Sequence, residues 1–437
     1  MTRSLLEHES VEFVRDLIRI DSVNTGDPDT IGDGETRAAR LVQARLEEVG
    51  IETTFVEPIP GRGSVVARIA GSDPDAGALL VHAHLDVVPV VAEDWTHPPF
   101  GADIVDGLLY GRGAVDMKDF AGVILAVARE FARSGIRPRR DLIFAFLADE
   151  EAGGRWGASW IVDNRPDLLA GATEAISEVG GFSVPLVEGR RAYLLATAEK
   201  GVGGVVVTAR GEAGHASRPR PDDPVTRLAS AVARIGEHRF PVVHTPALDR
   251  FLRVFGQERG VEFTDEGLDA QLDDLGFVGR VISASARQTA APTVLRAGDK
   301  SNIIPASAQA TVDLRALPDR EVELRDEITR LAGDAVDLHW QESLSPIAAP
   351  IDSPFVTAIG DAIRAEDPDG VVVPYLLPAS TDNKHFARLG VLGYGFVPLR
   401  VPDDFDVYGQ FHSADECVPV ESLYFSARAT ARILRSA

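Results

Sequence analysis

Leu142-Ile143-Phe144-Ala145-Phe146-Leu147-Ala148-Asp149-Glu150-Glu151 is the stretch that decides the fold. It opens with an unbroken apolar run of strand length and closes on two adjacent acids. An apolar run without alternation fits a strand buried on both faces, which needs helices above and below it. Neighbouring residues at a strand end point in different directions, so Glu150 and Glu151 can serve two different groups. Two carboxylates in contact are costly in a dry site without cations, so the pair implies either full exposure or a bound metal.

Outward from this run, helices alternate with short apolar strands. The pattern predicts helices at 35–49, 119–134 and 157–163, and strands at 64–70, 78–83 and 173–177. Alternation of this kind means an α/β sheet covered by helices, with chemistry in the loops after strand C-termini. Between about 198 and 345 the texture changes to strand, helix, two strands, helix and strand (Gly203 to Arg210, Pro224 to Ile235, Thr293 to Arg296, Ala308 to Leu314, Asp319 to Leu331, Ala335 to Trp340). That order predicts a smaller α+β layer, βαββαβ, inserted into the larger domain. The larger domain is then split into 1–197 and 346–437, around an inserted domain at 198–345. Gly236 to Ala290 reads as an irregular insertion, acidic around Glu262 to Asp274, and as a surface excursion of the small domain. The last segment finishes on an amphipathic helix, Val420 to Leu434.

The chain has 437 residues, 45% hydrophobic and 25% charged, the texture of an ordinary globular protein of two or three domains. A net charge of −23 and a pI near 4.8 argue against nucleic acid and anionic membranes, because phosphate binding needs a basic surface. Met1 to Ile20 reads as an amphipathic surface helix rather than a signal peptide, and no apolar run has the length of a membrane span, so a cytoplasmic location is expected. Cys417 is the single cysteine, which rules out an intrachain disulfide and thiolate-rich metal sites. Any metal must therefore be held by His and carboxylates. Only four of the 44 basic residues are Lys (Lys118, Lys200, Lys300, Lys384), and each lies in or beside a segment singled out here.

Ala78 to His84 is a second buried-strand run, and Asp86 follows His84 by two residues as the chain leaves the sheet. That spacing suits a metal-bound imidazole oriented by a carboxylate, but alone it is a weak signal that a hydrogen-bonded core histidine explains more readily. His82 is taken as structural. Gly111-Arg112-Gly113-Ala114-Val115-Asp116-Met117-Lys118 permits a tight turn. Its Asp116 has lone pairs enough to bridge two cations, and also suits the cap of the helix that follows. Glu178, before Val179-Gly180-Gly181, and His412, in Phe411-His412-Ser413-Ala414-Asp415-Glu416, complete the set of candidate donors.

These segments in this order, with Gly214-His215-Ala216-Ser217-Arg218-Pro219 and Asn302-Ile303-Ile304-Pro305, resemble the co-catalytic zinc peptidases. That family includes glutamate carboxypeptidase, succinyl-diaminopimelate desuccinylase, acetylornithine deacetylase and aminoacylase. The match covers essentially the whole chain and leans towards the carboxypeptidase S-like branch.

The resemblance implies two zinc ions, with cobalt or manganese as substitutes, bridged by Asp116. His84 and Glu178 complete one ion, and Glu151 and His412 the other. It implies Asp86 as the orienting group of His84, Glu150 as general base and acid, and a cis peptide at Asp116-Met117. His215 is implied as an oxyanion donor, often supplied to the partner subunit. Asn302, Arg315 and Lys384 are implied on the substrate side. Arg is common where Lys384 stands, and Lys lacks the planar two-point contact with a carboxylate.

The implied fold is a mixed sheet sandwiched by helices, with the small domain as a lid and dimerisation element, and a homodimer as one possibility. The implied reaction is hydrolysis of an amide in a small N-acyl amino acid or short peptide with a free α-carboxylate. The rival from another class is a non-catalytic scaffold, which should have lost ligands or base; here all are intact.

Overall fold

The computed structural model describes residues 3–187, 189–218 and 220–437. Met1 and Thr2 of the first expected helix and Pro219 of the His215 segment lie outside them. Leu142–Leu147 is a strand with every residue buried. It runs antiparallel to Ser64–Ile69 and parallel to Ala78–His84, which in turn lies parallel to Ala172–Ser177. Among the described residues ten strands join this mixed sheet.

Side chains alternate between its two faces, and both faces are covered. Leu79, Val81, Phe144 and Phe146 pack under the helices Leu5–Ile18, Lys118–Ser134 and Val420–Ser436. Leu80, Ile143, Ala145 and Leu147 pack on the other face with the helix Ala158–Asn164 and Phe386. The central helix Lys118–Ser134 is buried on almost every side, and its first turn follows directly on the Gly111–Met117 loop. Gly113 in that loop has φ 89°, and a Cβ there would meet Lys118 and Val87 at 2.9 Å.

A four-stranded antiparallel sheet forms the smaller layer, in the order Thr289–Ala297, Ser307–Ala316, Gly201–Arg210, Asp337–Trp340. Helices Pro224–Glu237 and Glu321–Ala332 cover one face through Leu228, Ile235, Leu324 and Ile328. The sheet-and-helix architecture is therefore the α/β fold with an α+β insertion expected from the sequence.

Gly236 to Ala290 corrects the expectation. It is neither irregular nor an excursion of the small layer: it folds into helices Pro246–Arg259, Leu268–Asp273 and Phe277–Ser285. Leu248, Phe251, Phe255, Val278 and Ile282 pack on Leu194, Ala196, Val373 and Tyr375 of the large sheet. An uncovered sheet face would leave those apolar side chains in water, and these helices bury them. Among the described residues no helix is long and apolar enough to cross a membrane.

Candidate metal centre and active site

Three adjacent parallel strands end side by side, so their C-terminal residues converge. Ala78–His84 delivers His84 and Asp86; Leu142–Leu147 delivers Glu150 and Glu151 on a short 3-10 turn; Ala172–Ser177 delivers Glu178. Asp116 arrives from the loop before Lys118–Ser134, and His412 from the loop before the strand Cys417–Pro419. The Asp116–Met117 peptide is cis, as expected, and so is Glu178–Val179.

The side chains form two overlapping triads. His84 Nε2 lies 3.1 Å from Asp116 Oδ1 and 3.5 Å from Glu178 Oε2. His412 Nε2 lies 3.0 Å from Asp116 Oδ2 and 3.5 Å from Glu151 Oε2. Within each triad one donor atom per residue falls within 4.8 Å of the others, so each group can hold a metal ion. Asp116 belongs to both and offers a different oxygen to each.

Buried polar groups fix these donors. His84 Nδ1 is 3.0 Å from the Asp86 carbonyl oxygen and 3.4 Å from its carboxylate, so Nδ1–H donates there and leaves Nε2 for the triad. Asp86 also accepts the backbone N–H of Glu150 at 3.1 Å and of Glu151 at 3.0 Å, and the Asn24 amide at 2.9 Å. One carboxylate thus orients the histidine and the turn carrying both glutamates. Asn24 is held in turn by Arg62, which pairs with Glu35 and Asp149. On the Asp116 side, Glu416 accepts the N–H groups of Gly113, Val115 and Asp116 and pairs with Arg112.

The site gathers more negative charge than its imidazoles balance. Burial raises the pKa of Glu178 well above its ordinary value against the opposing charge of His84, with the charges of Asp116 and Glu150 adding to it. Burial, then Asp116, pushes Glu151 up to about 7. Glu150 is likewise raised by burial, against the opposing charges of His84 and Lys384. Hydrogen bonds to Asp116 and Glu151 push His412 up to about 10. Among the described residues Glu151 Oε1 is buried without a hydrogen-bond partner. Crowded acids, an orphaned oxygen and an all-N/O donor set fit a pair of divalent cations.

The triads open into a cleft of about 570 Å³, whose wall includes Val202 and Arg315 of the small layer and Val281 of the Phe277–Ser285 helix. Tyr408 and Phe411 stand beside His412 in the same cleft. Lys384 Nζ is 3.9 Å from Glu150 Oε1. Arg315 faces the cleft while bonded to Asp313 at 2.8 and 3.1 Å.

His215 and Asn302 are not brought to this cleft. They sit together on the exposed ribbon of Gly214–His215 and Ile303–Ile304, where the Ala216 N–H donates to the Asn302 carbonyl at 3.1 Å. His82 is structural, buried with Nε2 on Asn383 Oδ1 at 2.9 Å. Sequence reading missed Asn24, Arg62, Glu35 and Asp149, which carry no local pattern. Glu416 stood in the His412 segment without a role, and its place directly before the strand Cys417–Pro419 was the one available signal.

A family model described as Peptidase family M20/M25/M40 matches residues 80–436. Probable carboxypeptidase S-like 2 of Dictyostelium discoideum is 30% identical over 385 residues, 82% of this chain and 71% of that protein. Aminoacylase-1 of Pongo abelii is 29% identical over 403 residues, 90% of this chain and 88% of that protein. The solved structure of an M20 family metallo-carboxypeptidase, Sso-CP2 from Sulfolobus solfataricus, matches with a TM-score of 0.72 at 19% identity and covers 98% of each chain, a likeness of fold. With the triads and the matched span together, the chain belongs to peptidase family M20/M25/M40 and is a metal-dependent amide-bond hydrolase.

Proposed function

We propose that this protein is a two-zinc hydrolase of N-acyl amino acids, cleaving the amide between an apolar acyl group and an amino acid with a free α-carboxylate. The observation that carries this reading is the pair of triads sharing Asp116, set beside Glu150 at the end of a cleft with largely apolar walls. His84, Asp116 and Glu178 hold one ion; Asp116, Glu151 and His412 hold the other. Imidazole and carboxylate donors suit zinc, and cobalt or manganese accept the same set. When bound, such a pair supplies Lewis acidity and lowers the pKa of water at the site.

Glu150 takes the proton of the attacking water and returns it to the leaving amine nitrogen. Its N–H bond to Asp86 keeps its backbone in place during both transfers. Lys384 and Arg315 receive the substrate carboxylate, for which Arg315 exchanges its Asp313 contact. Leu377, Tyr408 and Phe411 line the acyl side and exclude water. His215 supplies an oxyanion donor from the small layer, across a homodimer interface or after closure of that layer as a lid. The exposed edge strand Thr289–Ala297, with Leu295 58% exposed, supports the dimer.

Glu150→Ala tests the reading with N-octanoyl-alanine as substrate. Metal content is expected to stay at the parent level while alanine release is lost. Retained turnover removes Glu150 from the mechanism.

A further inference from the structure

Glu199 is the last residue of the strand Arg191–Glu199, and two residues on the chain enters the small sheet at Gly201. Its side chain is 3% exposed, yet it meets no cation within bonding distance among the described residues. Its oxygens are taken by one short loop. Oε2 accepts the Thr381 N–H at 2.8 Å; Oε1 accepts the Thr381 hydroxyl at 2.7 Å and the Asn383 amide at 3.2 Å. The other end of the Asn383 amide accepts from His82 Nε2, two residues before His84 on its strand. Next in sequence after Asn383 stands Lys384, beside Glu150.

A buried carboxylate is costly unless its lone pairs are filled, and three donors converging on one carboxylate make strong, directional bonds. A neutral amide of the same shape turns an N–H group towards one of those donors. The Lys200 N–H, bonded to the Leu377 carbonyl at 3.0 Å, ties the same crossing to the other end of the loop. The loop that lines the cleft is therefore pinned at the crossing between the two sheets.

We propose that Glu199 is a positioning residue that sets the place of Lys384 for the substrate carboxylate and couples it to the crossing into the small layer. The proposal rests on the reading of Lys384 given under Proposed function. A residue that merely stabilised the fold would lower activity on every substrate alike. A residue that places Lys384 acts on substrates bearing a carboxylate.

The test compares N-octanoyl-alanine with N-octanoyl-alaninamide, both cleaved at the octanoyl amide by the metal-loaded enzyme. In Glu199→Gln the preference for the acid over the amide, as kcat/KM, is expected to fall on the order of tenfold, the scale of one charged contact, and to fall through KM. Lys384→Met is run beside it. If Lys384→Met leaves the preference unchanged, the Lys384 reading fails and takes the Glu199 role with it. If Lys384→Met lowers the preference and Glu199→Gln does not, or lowers both substrates equally, the Glu199 proposal alone is overturned. Should Glu199→Gln fail to fold, Thr381→Val, which deletes one of the three donors, carries the same test with a smaller expected loss.

Discussion

The carboxylate of Glu416 accepts the backbone N–H of Asp116 at 3.1 Å. The same carboxylate takes Val115 at 2.7 Å, Gly113 at 2.9 Å and the Arg112 guanidinium at 2.8 Å. The residue shared by both triads is thus held from a segment at the other end of the chain, four residues after His412. Glu416→Gln keeps the volume but offers one acceptor oxygen where four donors converge. Loss of such outer support typically weakens metal binding about 10–100-fold, and chelator competition is expected to read a loss of that size. Parent-like metal affinity would mean that Asp116 holds its place unaided.

His215 is exposed and stands away from the cleft of its own chain. His215→Ala is expected to leave stability within about 0.5 kcal/mol and metal content unchanged, since it removes a surface side chain. It is expected to lower kcat by about 10²–10³, the usual cost of one oxyanion donor. Unchanged kinetics would refute its role.

Lys200 is buried, and burial, with the charge of Arg315 adding, pushes its pKa from 10.5 down to about 7. Between those values the unfolded chain binds the proton and the folded one does not, so stability rises with pH across that window. Below about 7 the full penalty is present. Lys200→Met is expected to stabilise the protein at pH 7 and to lose that advantage by about pH 10.5, at a slope of at most about 1.4 kcal/mol per pH unit. Urea midpoints at pH 7 and 10 read the difference; a parallel pH dependence in the two proteins would contradict it.

The helix Lys118–Ser134 crosses Leu5–Ile18 so closely that a Cβ on Gly122 would lie 2.6 Å from the Val14 backbone nitrogen. Alanine gains up to about 1 kcal/mol of helix propensity, and overpacking costs about 1–3 kcal/mol. Gly122→Ala is expected to lower the urea midpoint with an unchanged slope, and a raised midpoint would show that the two helices can part without cost.

What the sequence made legible was local. The runs Ala78 to His84 and Leu142 to Leu147 announce fully buried strands, and the donors follow within a few residues of their ends. The polar support was not legible, because Asn24 meets Asp86 and Asp149 across 62 and 125 positions, and no periodicity reports such a contact. The helices after Pro246 were hidden for another reason. Leu248, Phe251 and Phe255 do recur at helical spacing, but an apolar stripe does not say which sheet it covers, and the acidic stretch beyond it resembled a surface excursion. The Arg315 pairing with Asp313 is also beyond sequence patterns, since a strand residue and its neighbour two along share a face whether or not they bond.

The central claim is that His84, Asp116, Glu151, Glu178 and His412 hold a metal pair that turnover requires. It is tested most directly by titrating zinc into chelator-stripped protein while following alanine release from N-octanoyl-alanine. Activity is expected to be absent without metal and to return as two ions bind per chain. Full activity in the stripped protein, or silence with two ions bound, would contradict it.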